Sequence, residues 1–246
     1  MKSALKTHRR GFLGGMLGAV AAASVPMFGT GVVAAAADSG PDDWVKEVKG
    51  THRCLFDFPQ HKNGMPLLHI LNYLNTYTAA YKTSAGQVGA VGTFYSAGPQ
   101  SSILAGVQRL RSGPNTASAH TWASRIRRAR PYTRNVFNQP TTDDLHLVMQ
   151  AIDSPAIPAL AAAMPGLGIE SLQKMGTKFL LCANALGIWC LELEARGKGK
   201  AADIEKDLRA NTLPGVTIVP AMVIAIDKAQ EAGITTPVHP PRFSLV

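Results

Sequence analysis

The sequence predicts an α/β fold in which a mostly parallel sheet of about four to five strands carries helices on both faces. Two short runs, Thr177–Cys182 (TKFLLC) and Val216–Val219 (VTIV), are almost wholly apolar, which is typical of strands buried on both faces. A segment of helical character follows each run, and such alternation favours a parallel sheet. With 246 residues and 46% hydrophobic content, the chain can bury a core without disulfides or a structural metal.

The remaining elements follow in chain order. A compact apolar run ends at Pro59, and Pro66 suits the first turn of a helix. We therefore expect strands at His52–Pro59 and Gln87–Tyr95. We expect one helix that begins at Pro66 and two further helices at Ala183–Glu194 and Ala221–Gln230. Residues 38–50 and 196–209 are polar, so we interpret them as a lead-in and a connection.

The first 37 residues have the three parts of a bacterial signal peptide. Met1–Arg10 is basic, Phe12–Val33 is weakly apolar and rich in Gly and Ala, and Ala34–Ala37 offers an A-x-A cleavage site. Arg9-Arg10-Gly11-Phe12-Leu13 resembles the twin-arginine export motif, which implies export of a folded protein. We therefore predict a periplasmic protein with a single domain over residues 38–246. Its membrane contact is confined to the signal segment, if that segment stays uncleaved.

The formal charge of +9 at first suggests a nucleic-acid partner. Four of the 25 basic residues, however, fall within the first ten positions, where they belong to the predicted signal. An Arg-rich insertion at about 112–140, which also contains Trp122 and Tyr132, could bind nucleic-acid phosphates, an acidic partner or a sulfur oxyanion. An exported protein meets little nucleic acid, so we interpret this insertion as a solvated face or subunit contact and expect no nucleic-acid partner.

Candidate site residues follow directly from the predicted topology. Ligands of open α/β sheets bind at the carboxyl ends of the strands. The residues just beyond the four predicted strands therefore form one candidate set: His61, Asn63, Tyr95, Ser96, Cys182, Asn184 and Pro220.

Cys182 is the most informative residue of this set, because it lies where a strand ends and a helix begins. Unpaired N–H groups at a helix start favour an anion, which would make the thiolate available as a nucleophile. The alternative is that Cys182 is a small buried residue. Cys190 falls on the inward face of the following helix, and Cys54 begins a strand, so we expect both to be core thiols.

The sequence contains none of the common metal or cofactor motifs. C-x-x-C, C-x-x-C-H, H-E-x-x-H, G-x-S-x-G and P-loop patterns are all absent. We therefore predict neither a metal site nor a cofactor. A haem or metal held through His61 is the weakest of the functional alternatives.

Three stretches of the chain resemble the DsrE/DsrF-like (YchN-like) sulfur-relay family. They are Lys178–Leu186, Leu213–Ala221 and the early run from Phe56-Asp57 through Asn63-Gly64 to Leu71-Asn72. The resemblance implies a small α/β layer fold that assembles into trimers or hexamers. It also implies that Cys182 occupies the position where some members carry a persulfide. Members are mostly cytoplasmic and lack the Arg-rich insertion, which are two departures of this chain from the family pattern.

Two functions are the main alternatives from the sequence. In the first, Cys182 accepts sulfane sulfur as a persulfide and His61 takes up a proton. The partner is then a sulfur donor or acceptor protein or a small sulfur compound, and the protein acts as a sulfurtransferase or sulfur carrier. In the second, the chain is a non-catalytic module for small-molecule binding or assembly, and Cys182 serves packing alone.

Overall fold

The computed structural model describes residues 40–60, 64–96, 106, 135, 137–141 and 162–237. All statements of structure below concern these residues. The helices are α1 (Trp44–Glu47), α2 (Met65–Ala79), α3 (Ile169–Lys174), α4 (Ala183–Ala195), α5 (Ala201–Ala210) and α6 (Met222–Glu231). The strands are β1 (His52–Phe56), β2 (Val88–Phe94), β3 (Thr177–Cys182) and β4 (Val216–Val219).

The four strands form one parallel sheet in the order β1-β2-β3-β4. A further segment runs beside β1 on its outer edge, where Thr235 bridges to Cys54 in parallel orientation. The Leu55 amide donates to the Thr235 carbonyl at 2.7 Å, and the Thr235 amide donates to the Arg53 carbonyl at 3.1 Å. The α/β class and the parallel sheet of about four to five strands are therefore confirmed.

Helices cover both faces of the sheet, as predicted. Neighbouring positions of a strand point to opposite faces, so Gly89 and Gly92 mark different sides of β2. A Cβ on Gly92 would meet Ile70 of α2, whereas a Cβ on Gly89 would meet Val48, just beyond α1. The side chain of Arg53 points to the α1 side and donates to the Ala232 carbonyl at the end of α6. Helix α2 therefore covers one face, and α1 and the end of α6 cover the other.

The central strands supply the core because both of their faces are covered. All seven residues of β2 are buried, and five of the six residues of β3 are buried. Leu55, Val91, Leu180 and Leu181 are completely inaccessible to solvent. In the pairing of β2 with β3, Thr93 lies opposite Leu180. The prediction that the Val216–Val219 run is buried on both faces was wrong. Strand β4 stands at the end of the strand order, and only its last residue, Val219, is buried.

Two helices occur where the sequence predicted only polar connections. Helix α1 lies within the lead-in and buries Trp44, and α5 lies within the 196–209 stretch and buries Leu208. Helix α5 is stabilised along its polar side by an ion pair between Glu205 and Arg209, at helical spacing. Helix α1 is four residues long and too short to give a periodic pattern, whereas in α5 the apolar residues Ala201, Ile204 and Leu208 lie at helical spacing and contact the core.

The predicted export signal, residues 1–37, lies outside the described residues, as does most of the Arg-rich insertion. The described part of the chain contains no helix that is both long and apolar enough to cross a membrane.

Candidate functional site

The carboxyl ends of the parallel strands bring four positions to one edge of the sheet, three of them predicted and one, Asp57, newly seen. Asp57 follows β1, Tyr95 follows β2, Cys182 ends β3, and Pro220 follows β4. Pairing of Phe94 with Leu181 sets Tyr95 level with Cys182, and pairing of Cys182 with Val219 sets Pro220 one step beyond.

Cys182 lies at the start of two helices at once. It is the N-cap of α4, and its Sγ accepts a hydrogen bond from the Ala185 amide at 3.4 Å. The same Sγ accepts a second hydrogen bond, also at 3.4 Å, from the amide of Met222, the first residue of α6. Both donors are first-turn N–H groups, which carry the positive end of a helix dipole. The sulfur is thus placed where negative charge is stabilised.

Backbone contacts hold the two helix starts side by side. The Asn184 amide donates to the Pro220 carbonyl at 3.2 Å, which ties the first turn of α4 to the segment that leads into α6. The side chains of Ala183 and Ala185 are buried here, so small residues permit the close packing. The side chain of Cys182 itself is covered, with only 5% of the residue exposed.

A second polar pair lies at the same edge. The Tyr95 hydroxyl donates to the Asp57 Oδ1 at 2.6 Å. The segment that carries Asp57 is held against β2, because the Phe58 amide donates a hydrogen bond to the buried Thr93 Oγ1 at 2.9 Å. Burial raises the pKa of Tyr95, and the hydrogen bond to Asp57 and the negative charges of Asp57 and Cys182 raise it further. The phenol is therefore a stable proton donor at neutral pH.

Asp57 is a site residue that the sequence analysis did not single out as such. The predicted strand His52–Pro59 included Asp57, whereas β1 ends at Phe56, so the prediction was too long by three residues and hid the position of Asp57 directly after the strand. Ser96, two residues after the end of β2, has a φ of 76°, a left-handed backbone conformation that residues other than glycine rarely adopt.

The structure brings together five of the seven predicted site positions, namely Tyr95, Ser96, Cys182, Asn184 and Pro220. His61 and Asn63 lie outside the described residues. Within the described residues no group of three or more His, Cys, Asp or Glu side chains could hold a metal ion.

The other two cysteines are core thiols, as predicted. Cys54 and Cys190 are buried and free. Burial raises the pKa of Cys54, although a hydrogen bond with Thr235 acts in the opposite direction. Burial, assisted by the charge of Glu205, raises the pKa of Cys190 to about 12, so this thiol stays protonated and unreactive at neutral pH.

We expect Tyr95 and Tyr73 to keep their phenol protons at pH values where an ordinary tyrosine, with a pKa of 10, has ionised. Burial is the main cause for both rings. The folded state binds these protons more tightly than the unfolded chain. The stability they contribute is therefore complete below pH 10 and is lost as the pH rises above it.

Carbon-13 NMR of the tyrosine ring carbons across an alkaline titration measures this effect. The Tyr95→Phe variant removes one of the late-titrating signals and so assigns it. Ionisation of either phenol with the ordinary pKa would contradict the burial argument.

No protein-family model, curated protein or solved structure matches this chain.

Proposed function

We propose that this protein carries sulfane sulfur as a persulfide on Cys182, as a DsrE/DsrF-like sulfur carrier that is exported to the periplasm. The observation that supports the proposal is the pair of hydrogen bonds to the Cys182 Sγ from the first turns of α4 and α6. Donors aimed at the position where charge develops stabilise an anion without reorganisation. Both the attacking thiolate and the persulfide anion carry their charge on sulfur at this position.

The loading step is a transfer of one sulfur atom between thiols. The Cys182 thiolate attacks the outer sulfur of a donor persulfide, R–S–SH, and a new bond forms between the Cys182 Sγ and that sulfur. The bond between the two donor sulfurs breaks, and R–S⁻ leaves. The proton of the outer sulfur passes to a base, and the product R–SH forms when the leaving thiolate is protonated. No external oxidant is needed, because the sulfane sulfur keeps its oxidation state.

His61 is the base that we propose for this proton. It follows Asp57 by four residues, and Asp57 lies at the carboxyl edge of the sheet with Tyr95. An imidazole titrates near neutral pH and can accept a proton and return it to the leaving thiolate.

The small exposed area of Cys182 restricts the size of the sulfur donor that can reach it. Because only 5% of the residue is accessible, the donor must present its outer sulfur on a slender group, such as a polysulfide chain or a cysteine persulfide. A bulky electrophile would reach the sulfur only after the starts of α4 and α6 separate.

We expect polysulfide treatment to add one sulfur atom to the wild-type protein and none to the Cys182→Ser variant. The added mass is measured by intact-mass spectrometry without reductant, and it is lost after treatment with a thiol reductant. Cys190→Ser is the matched control, since Cys190 is equally buried but receives no hydrogen bonds from helix starts that would stabilise a thiolate. Equal loading of the two variants, or no loading of the wild type, would reject the persulfide assignment.

The burial of Cys182 supports a second candidate function, a non-catalytic binding or assembly module of the same fold. In this case the two amide contacts hold α4 and α6 in place, and the thiol is part of the core. Cys182→Ala then leaves binding of the module's ligand intact while sulfur loading is absent from every variant.

Export and self-association complete the proposal. The basic, apolar and Ala-rich parts of residues 1–37 support export, and intact mass of protein purified from the cell envelope tests whether this segment has been removed. Exposed apolar side chains on the outer side of α4, Ile188 and Leu191, support homo-oligomer formation. Light scattering of the mature protein measures the oligomeric state.

A further inference from the structure

A cavity lies away from Cys182, along the outer side of α2. Tyr73 and Tyr77 lie four residues apart on α2, and Tyr81 follows the end of the helix by two residues. The three rings form one continuous stripe. The ring centroids are 5.0 Å apart between Tyr73 and Tyr77 and 5.3 Å apart between Tyr77 and Tyr81. The stripe borders a cavity of about 520 Å³, which Phe56 and Pro237 also line.

The cavity lies on the face of the sheet that α2 covers, along strand β1. Phe56 is the last residue of β1, whereas Tyr77 stacks on His52, the first residue of β1, at a centroid distance of 4.6 Å. Pro237 follows Thr235, which pairs beside β1, by two residues. The cavity therefore extends along the length of β1.

The walls of the cavity favour aromatic contacts. The Phe56 ring meets the Tyr73 ring edge to face at a centroid distance of 5.4 Å, and the Tyr77 ring stacks on His52. Tyr81 is 71% exposed, so a large ring stands in solvent beside an opening. Ring pairs gain stabilisation beyond the burial of area, in offset-stacked or edge-to-face geometry.

Polar groups are few. Asn72 and Thr76 line the cavity, where Thr76 Oγ1 donates to Asn72 Oδ1 at 3.4 Å, a long bond that a ligand can replace. His69 completes the polar set. Among the described residues that line the cavity, none is Asp, Glu, Lys or Arg, so a ligand finds no permanently charged side chain there.

We propose that this groove binds an uncharged planar aromatic molecule of one or two fused rings. The volume matches that of small-molecule sites, and the combination of several aromatic walls with a few polar groups is typical of them. The ligand's ring packs against Tyr77 and Tyr81, and a hydroxyl or carbonyl group on its edge hydrogen-bonds to Asn72 or Thr76. The proposal is independent of sulfur chemistry at Cys182.

The test is a titration of the full chain with four probes of similar size, followed by NMR of the tyrosine rings. The probes are naphthol, naphthalene sulfonate, trimethylnaphthylammonium and cyclohexylmethanol. We expect naphthol to bind most tightly and to shift the signals of Tyr73, Tyr77 and Tyr81. Tighter binding of either charged probe, equal binding of the aliphatic alcohol, or no shift at any soluble concentration of naphthol would each overturn the proposal.

Two variants locate the binding. Tyr81→Ala removes an exposed ring, so the fold is retained, and naphthol is expected to bind roughly two- to twelvefold more weakly. Tyr77→Leu keeps the apolar bulk and is expected to weaken binding within the same range. Leu191→Ala is the control, since Leu191 is 51% exposed on α4 and lies outside the groove. Unchanged affinity in both tyrosine variants would place naphthol elsewhere and overturn the assignment.

Discussion

Replacement of Phe179 by alanine is expected to lower the free energy of unfolding by about 3–5 kcal/mol. Phe179 lies at the centre of β3 and is 1% exposed. Its ring stacks on Phe94 of β2 with a centroid distance of 5.2 Å and an interplanar angle of 3°. It also fills the space above Gly92, where a Cβ would lie 2.5 Å from the ring. Truncation therefore opens a cavity that no neighbouring side chain occupies.

Urea denaturation followed by circular dichroism measures this loss. Val223→Ala is the matched control, because it removes apolar atoms from a residue that is 69% exposed and should stay within about 0.5 kcal/mol of the wild type. A loss below about 1 kcal/mol for Phe179→Ala would show that the sheet collapses onto the vacated space, and it would contradict the rigid packing of Phe179 against Gly92.

The Gly92 contact provides an internal check on the same prediction. Gly92→Ala alone is expected to destabilise, because the added methyl group collides with the Phe179 ring. In a chain that already carries Phe179→Ala, the same methyl group enters the new cavity. The combined loss should therefore be smaller than the sum of the two single losses, as for residues in direct contact.

The second large effect is expected at Gly89, near the start of β2. A Cβ at this position would lie 2.3 Å from the carbonyl oxygen of Lys49, an atom of the backbone that cannot turn aside. Gly89→Ala must therefore displace either β2 or the segment that joins α1 to β1. We expect a loss of about 3 kcal/mol, at the upper end of the range for overpacked cores.

Gly86→Ala is the control for Gly89→Ala. Gly86 lies three residues earlier, and a Cβ there would meet no described atom within 4 Å. Its stability should fall within about 1 kcal/mol of the wild type, with a gain from the reduced freedom of the unfolded chain. Equal stability of the two variants in thermal unfolding would rule out the close approach of Lys49 to β2.

The sequence could predict the position of β3 and β4, although burial on both faces holds for β3 and not for β4. The observed bounds of β3 and β4 match the predicted ones, because each apolar run is preceded by a glycine and its end is set by a helix start or a proline. Helix α5 was missed although its sequence carries a helical pattern: Ala201, Ile204 and Leu208 lie on one face and contact the core, and polar residues surround them. The pairing of Thr235 with Cys54 of β1 could not be predicted either, because a single paired residue gives no strand pattern.

The candidate site, too, could be predicted from the sequence only in part. The position of Cys182 at a strand end follows from the local sequence, and so does the first amide donor, Ala185. The second donor, Met222, is separated from Cys182 by 40 residues and reaches it only because β4 pairs beside β3. The contact of Tyr95 with Asp57 also depends on strand pairing, across 38 residues. Such contacts are set by register, which no single segment contains.

The bridge at Thr235 also has a consequence for how the chain is made. Strand β1 emerges early in synthesis, but its outer edge stays uncovered until Thr235 arrives, 182 residues after Arg53. An open strand edge is a template for pairing with other chains. The charged side chain of Arg53, on the last strand position before the buried run begins, discourages such pairing during this interval. A ribosome that stalls before residue 235 would thus release a chain with an open, aggregation-prone edge.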